Sequence, residues 1–532
     1  MSALIIIVAI TVVALFLGMR ARSGHDMNLE QWAVGGRSFG TAFVFLLMAG
    51  EIYTTFTFLG GSGFAYGKGA PVYYILAYGT LAYVLSYWML PPVWRFAKQH
   101  RLVSQPHFFA QKYQSPALGV LVACVGVLAL VPYLVLQLKG LGIIVTTASY
   151  GAISSTAAIW IGAAVVTAYV IVSGVRGCAW NSVVKDTMIL AIAVFLGIYL
   201  PIHHYGSLSE MFRAIDAAKP GFLTFPARGQ SVTWFQSTVL LTALGFFMWP
   251  HTFGSVYTAK DERIFRRNAM ILPLYQLILL FVFFCGFAAV LKVPGLKGPD
   301  IDLSLFRLAL QTFDPWFIGV IGAAGVLTAL VPGSMILTTA STLLANDVYR
   351  GGFAKNADDA SVGRLARLFV PVVALVAVGF TLKGGDTIVA LLLMGYNFVT
   401  QLFPALVCSL ATRNRVTKQG AFCGIVAGVA VVIAITLTHV SVAQLIPFAP
   451  DALKDVNIGF LALFVNVIVL AVVSMVTQPR AHVEHAQAHR TTLRITKQPN
   501  RHVPIGLFFC YAALRASAMR CGASGLAYKR SR

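Results

Sequence analysis

Residues 45–66 read FLLMAGEIYTTFTFLGGSGFAY. An apolar run suited to a membrane crossing holds one carboxylate, Glu51, and then gives way to Thr54, Thr55, Thr57, Gly60, Gly61 and Gly63. A charged group at mid-depth is expensive in a bilayer and marks a pathway or a partner. The hydroxyls and glycines predict an interrupted helix with freed carbonyls. Irregular backbone at that depth is tolerated only where it lines a cavity or is buried in protein, and broken helices of this kind form the binding elements of many secondary transporters. A second reading of Glu51, as a hydrogen-bonded tie to a neighbouring helix, stays open.

The rest of the chain has the same character. Apolar residues make up 58% of its 532 residues and charged residues 11%, against about 25% charged in a soluble domain. Thirteen segments are apolar enough to predict spans: 2–19, 40–66, 70–94, 116–148, 152–173, 183–201, 235–257, 269–291, 315–345, 366–383, 387–410, 420–439 and 456–476. Each reaches or exceeds what a hydrocarbon core of about 30 Å requires, with tilt or breaks in the longer ones. The expected class is an all-α polytopic membrane protein, with one transmembrane domain over 1–476. The first span has no basic residue before it and no small-residue cleavage site, and Arg20 follows it directly. It reads as a retained helix, not a signal peptide.

The net charge is +22. Lys and Arg concentrate in alternate loops, which places the N-terminus outside and the C-terminus in the cytoplasm. There is no basic face with interleaved aromatics, so no nucleic-acid partner is expected. The expected partners are a small-molecule solute and membrane lipid, with no obligate protein partner and no cofactor. Residues 477–532 are basic and weakly periodic. They read as a poorly ordered cytoplasmic tail, or as a short surface helix around 505–522. The seven cysteines show no CxxC or metal spacing, so buried free thiols are expected.

Softer polar features lie in other spans. Gln137 and Lys139 sit in PYLVLQLKGLG (132–142), where Lys139 is expected to reach along its stem toward the outer interface. Pro250 and His251 predict a kink in the span 235–257. Ser334 and Thr338 share one helical face, as residues four apart do. GYNFVTQLFPALV (395–407) offers Tyr396, Asn397, Thr400 and Gln401. Uncharged donors of this kind suit a small polar solute. No nucleophile–base pair appears in the spans, so an enzyme is not expected. A channel would show a repeated filter or rings of charge, and a transporter-like sensor would need an output module. Neither is present in the sequence.

Several stretches together resemble the sodium:solute symporter family: WAVGGRSFG (32–40), FLGGSGFAYGKGAP (58–71), QPHFFAQKYQSP (105–116), PYLVLQLKGLG, MWPHTFGSVYTAKDERIFRRN (248–268) and GYNFVTQLFPALV. The likeness runs over about 30–476. LLMAGEIYTTFTFLGGSGFAYGKGAP (46–71) and ALVPGSM (329–335) are most similar to the bacterial monocarboxylate permeases of that family. The resemblance implies a LeuT-like fold, an inverted five-helix repeat over about 40–201 and 235–410, in the bacterial inner membrane. It implies a cation:solute symporter for lactate, pyruvate or acetate working by alternating access. A neutral amino acid or another small polar solute is the alternative.

The resemblance also places the solute between the two broken helices. The candidate substrate and coupling residues are Glu51, Tyr53, Thr54, Thr55, Thr57, Gly60, Gly61, Gln137, His251, Tyr396 and Gln401. A sodium ion is implied between the first break and the span 315–345. Here the sequence departs from the family: Val331 and Pro332 stand where adjacent Ser and Thr are usual, and Trp180-Asn181-Ser182 replaces Trp-Thr-Asp. Hard cations want several oxygens. Two readings of the coupling ion therefore stay open. In one, Glu51 carries a proton. In the other, sodium binds backbone carbonyls at Gly50 and Tyr53, with Ser334 and Thr338 as replacement ligands.

Overall fold

The computed structural model describes residues 2–20, 29–50, 52–438, 440, 442–445 and 447–478. Glu51 and the tail from 479 onward, on which two of the expectations fall, lie outside the described residues.

The spans fold, in chain order, as α1 (Ser2–Arg20), α2 (Thr41–Gly50), α3 (Ser62–Lys68), α4 (Tyr74–Gln99), α5 (Pro116–Ala148), α6 (Ser155–Tyr205), α7 (Val232–Gly245) and α8 (Pro250–Tyr257). They continue as α9 (Arg263–Tyr275), α10 (Leu279–Lys292), α11 (Pro315–Thr342), α12 (Asp359–Lys383), α13 (Ile388–Val399), α14 (Lys418–Thr438) and α15 (Ile458–Thr477). Every one of the thirteen expected segments contains helix among its described residues. Among the described residues, ten spans are long and apolar enough to cross a membrane, or eleven with the bent pair α7–α8. The expected count of thirteen exceeds this by two. One of the two is split between α2 and α3. The other, α4, mixes tyrosines, Pro91, Pro92 and a basic end into its apolar face.

Each half of the chain opens on a broken helix. The first runs through α2, turns at 52–54, winds as a π-helix over Phe56–Gly61 and continues as α3. The second runs through α7, a short 3-10 turn and an extended Trp249 into α8, with a bend of 50°. The segments flanking the two breaks meet in an isolated parallel bridge between Phe39 and Ala259.

α11 is the hub, packing against α1, α5 and α6. Nearly all of the span that contains it is buried. α5 packs on α13 as well, and α6 on α10. α14 and α15 pack chiefly on each other. The helical segment α6 contains two spans, Ser155–Val172 and Gly177–Tyr205. Its second span starts earlier than the sequence reading placed it and draws residues 177–182 into the span.

Candidate functional site

A helix break in a membrane frees carbonyl groups that need partners inside the protein. The first break meets this need residue by residue. Thr57 Oγ1 donates to Ile52 O at 2.9 Å and to Thr54 O at 3.0 Å. Thr54 Oγ1 accepts from Phe56 N–H at 3.1 Å, and Tyr83 OH donates to Met48 O at 2.8 Å. Two further carbonyls, Gly50 O and Tyr53 O, take a charged donor. Lys185 Nζ on α6 lies 3.1 Å from the first and 3.0 Å from the second.

Lys185 is fully buried, and its ammonium lies 3.0 Å from Asp186 Oδ1. Asp186 is also buried, and among the described residues neither of its oxygens accepts a hydrogen bond of good geometry. The contact is therefore a Coulombic one. Glycine at position 50 makes the approach possible, since a Cβ there would stand 2.9 Å from Lys185 Nζ.

These contacts correct three sequence expectations. The interruption among the described residues lies at 52–54, not at the glycines. Gly60, Gly61 and Gly63 continue the helix and serve close packing, Gly60 against Ile388 and Gly63 against the backbone of Ile301 and Asp302. Glu51 is not the only mid-chain charge near the break, because Lys185 and Asp186 sit there together. The carboxylate missing at Ser182 has a counterpart one helical turn further on, at Asp186.

Tyr53 is buried, and its hydroxyl donates to Tyr275 O at 2.8 Å while the two rings meet edge to face at 4.9 Å. The next residue, Gln276, was missed in the sequence. It is fully buried beside Ile52 and Gly79, and neither side-chain amide atom has a partner among the described residues. A lone amide in an apolar run carries no periodic signal that would have singled it out.

On the opposite side of the break stands α5. Thr55 packs on Gly140, where an added Cβ would meet the Thr55 methyl well inside contact distance. Gln137, three residues earlier and so on the same helical face, is buried with both amide atoms unpartnered among the described residues. It borders a cavity of about 10 Å³ lined also by Leu134, Ala329, Gly333 and Leu337, room for about one water. Thr55 Oγ1 is likewise buried without a partner. A buried amide or hydroxyl left unpaired costs about 1–3 kcal/mol, so two of them at one break mark a place built to meet something polar.

The other candidates fall in three places. Ser334 Oγ donates to Val331 O at 2.6 Å and lies 3.0 Å from Cys178 Sγ. Thr338 Oγ1 donates to Ser334 O at 2.7 Å. Both hydroxyls thus bond their own helix, as mid-helix Ser and Thr commonly do. At the second break, His251 and Tyr396 join an aromatic cluster: Trp249 meets Tyr396 at 5.3 Å, Tyr133 at 4.9 Å and His251 at 5.8 Å. Tyr78 links this cluster to the first repeat through Tyr396 at 5.7 Å. Gln401 spends its side chain on ties between helices. Its amide donates to Asn397 O and Gly459 O, and its Oε1 accepts from Asn466 Nδ2 at 3.1 Å. That arrangement ties α13 to α15.

Lys139 is held by partners in the segments that follow α10 and α12. Its ammonium pairs with the buried Asp302 at 2.7 Å and donates to Asp386 O at 2.6 Å. Asp302 Oδ2 also accepts from Ile388 N–H at 3.0 Å. Burial pushes the Asp302 carboxyl above the usual carboxylate range, opposed by the Lys139 ammonium and the Ile388 N–H. Among the described residues, no cluster of His, Cys, Asp or Glu is suited to hold a metal ion.

Two helix breaks facing one another across a bundle are the frame of an alternating-access carrier. The profile of the sodium:solute symporter family matches residues 32–428. The chain belongs to that family. The uncharacterized symporter YhjB of Bacillus subtilis is 64% identical over 477 residues, covering 90% of this chain and 97% of its own length. A monocarboxylate transport permease protein of Rhizobium johnstonii is 28% identical over 75% of this chain and 81% of its own. The osmoregulated proline transporter OpuE of Bacillus subtilis is 26% identical over 76% and 83%. Among solved structures, a Na+-coupled sialic acid symporter in a substrate-bound outward-open state superposes with a TM-score of 0.72 at 14% identity, covering 90% of this chain and 98% of its own. The fold is LeuT-like, and the protein is a multi-pass, cation-coupled solute symporter.

Proposed function

We propose that the solute is a small monocarboxylate such as lactate, pyruvate or acetate, held between the two broken helices. The observation that carries this reading is the pair Gln137 and Thr55: uncharged donors, buried beside the first break and unpartnered among the described residues. A carboxylate accepts several hydrogen bonds at once, and helix ends at a break add positive potential for it. The likeness to a monocarboxylate permease supports the same class.

The test is uptake of radiolabelled lactate into proteoliposomes, with sodium and proton gradients imposed separately. Saturable uptake competed by pyruvate and acetate is expected. Gln137→Ala should raise KM about 10-fold or more, the loss of one or two hydrogen bonds to a charged ligand. A second reading, a neutral amino acid, is favoured by the likeness to a proline transporter. Proline uptake that lactate does not compete would replace the first reading with the second.

A further inference from the structure

The fold family implies a sodium ion between the first break and α11, and the residues present here do not fit one. Sodium is a hard cation that takes several oxygen ligands. On α11, Val331 and Pro332 carry no side-chain oxygen, and the hydroxyls of Ser334 and Thr338 donate to carbonyls of their own helix at 2.6 and 2.7 Å. On the break, the carbonyls that would complete such a site are Gly50 O and Tyr53 O. Both accept from Lys185 Nζ, at 3.1 and 3.0 Å.

We propose that the Lys185 ammonium is the resident cation of this break, a covalently tethered occupant of the place where the family implies sodium, and that the symporter works without binding sodium there. The surroundings match that role. Nζ has oxygen on three sides: two backbone carbonyls and, at 3.0 Å, the Asp186 carboxylate. An ammonium carries three donors and a compact charge; two donors meet the carbonyls, and the carboxylate balances the charge. Lysine and aspartate neutralise each other inside a buried pocket where a second, free cation would meet an ammonium within a few ångströms in low dielectric. Glycine at 50 leaves the room that Nζ occupies, since a Cβ would approach it to 2.9 Å. A tethered cation cannot leave with the solute. Its role is to fix the end of α2 to α6 while another ion supplies the driving force.

The inference rests on reading the first break as the transport site, and its test is kept independent of transport. Purified full-length protein in detergent is assayed for binding of radioactive sodium by scintillation proximity. Thermal unfolding is compared in sodium chloride and choline chloride at equal ionic strength. The expected result is no saturable sodium binding and no sodium-specific shift in the wild type. Lys185→Ala, which uncovers two carbonyls beside Asp186, is expected to gain a saturable site and a sodium-dependent rise in its unfolding midpoint. If the alanine variant does not fold, Lys185→Thr, which supplies an oxygen of its own, takes its place. A saturable sodium site in the wild type overturns the proposal. So does a folded Lys185 variant that binds no sodium, since Lys185 would then not be what fills the place. A protein that fails to transport lactate but behaves as expected here loses only the solute reading. Lactate transport by a protein that binds sodium at this break loses only the present one.

Discussion

The two broken helices meet the same physical problem with different chemistry. Each must satisfy backbone carbonyls freed at membrane depth. At the first break the decisive donor is an ammonium, Lys185, with Asp186 beside it. At the second the donor is a neutral amide, Gln105 Nε2, which gives to Met248 O at 2.8 Å. Pro250 there has no N–H to satisfy, and aromatic rings fill the rest of the surroundings. A neutral donor can leave a carbonyl at the cost of one hydrogen bond. A buried ammonium cannot leave without stranding its carboxylate. The first break is thus tied by a charged donor and the second by a neutral one.

The sharpest way to break this contrast is to remove one donor at each site. Lys185→Ala strands Asp186 in a buried pocket and opens two carbonyls. The expected loss is about 3–5 kcal/mol, the range for breaking a buried ion pair, read as a drop in unfolding midpoint in detergent. Replacing both partners with apolar residues, Lys185→Met with Asp186→Leu, should recover much of that loss, because no buried charge is left over. Gln105→Ala at the second break leaves one carbonyl unpaired, at about 1–3 kcal/mol. Equal losses at the two sites would show that charge makes no difference between them.

The glycines after the first break give a smaller and more local comparison. A methyl at Gly63 would stand 2.8 Å from Ile301 O and 3.0 Å from the backbone of Asp302, atoms that cannot swing aside. At Gly61 it would meet the Phe283 ring at 3.4 Å, an ordinary contact. Gly63→Ala should therefore cost about 1 kcal/mol or more from overpacking, and Gly61→Ala should be near neutral. The reverse order would mean that α3 sits elsewhere against 301–302.

Much of the fold was legible because apolar runs of spanning length carry their own signal, and all thirteen such runs contain helix among their described residues. The first break was legible as a polar cluster, yet its position was not. Threonines and glycines both disfavour regular helix, and only the contacts reveal that Thr54 and Thr57 bond the turn while the glycines pack. Lys185 and Asp186 were hidden for a different reason. As adjacent opposite charges at the start of the expected span 183–201 they read as a span end, and only the earlier start of that span in α6 carries them inside. Gln401 shows the converse: a polar residue in a span that meets a partner, Asn466, far away in sequence. Sequence spacing cannot separate such a helix tie from a binding group.

The smallest expected effect concerns Asp302, which joins α5 to the start of α13 through Lys139 and the Ile388 N–H. Its carboxyl lies above the ordinary value of about 3.9 because burial disfavours the charge. The folded chain therefore holds this proton better than the unfolded chain does. By linkage, the stability that this group contributes is fully present below the ordinary value and declines as pH rises through the folded value. Global stability should not fall on acidification on account of Asp302. The local tie behaves in the opposite sense, because the ionised carboxylate is what holds Lys139 and accepts from Ile388. As pH falls through the raised folded value, protonation should release that tie. Hydrogen exchange at the Ile388 amide, corrected for its intrinsic pH dependence, should lose protection across this window with no change in the core helices. Asp302→Asn should show the reduced protection already at neutral pH and remove the pH dependence. If the wild type and Asp302→Asn share one profile, some group other than Asp302 governs how the start of α13 is held.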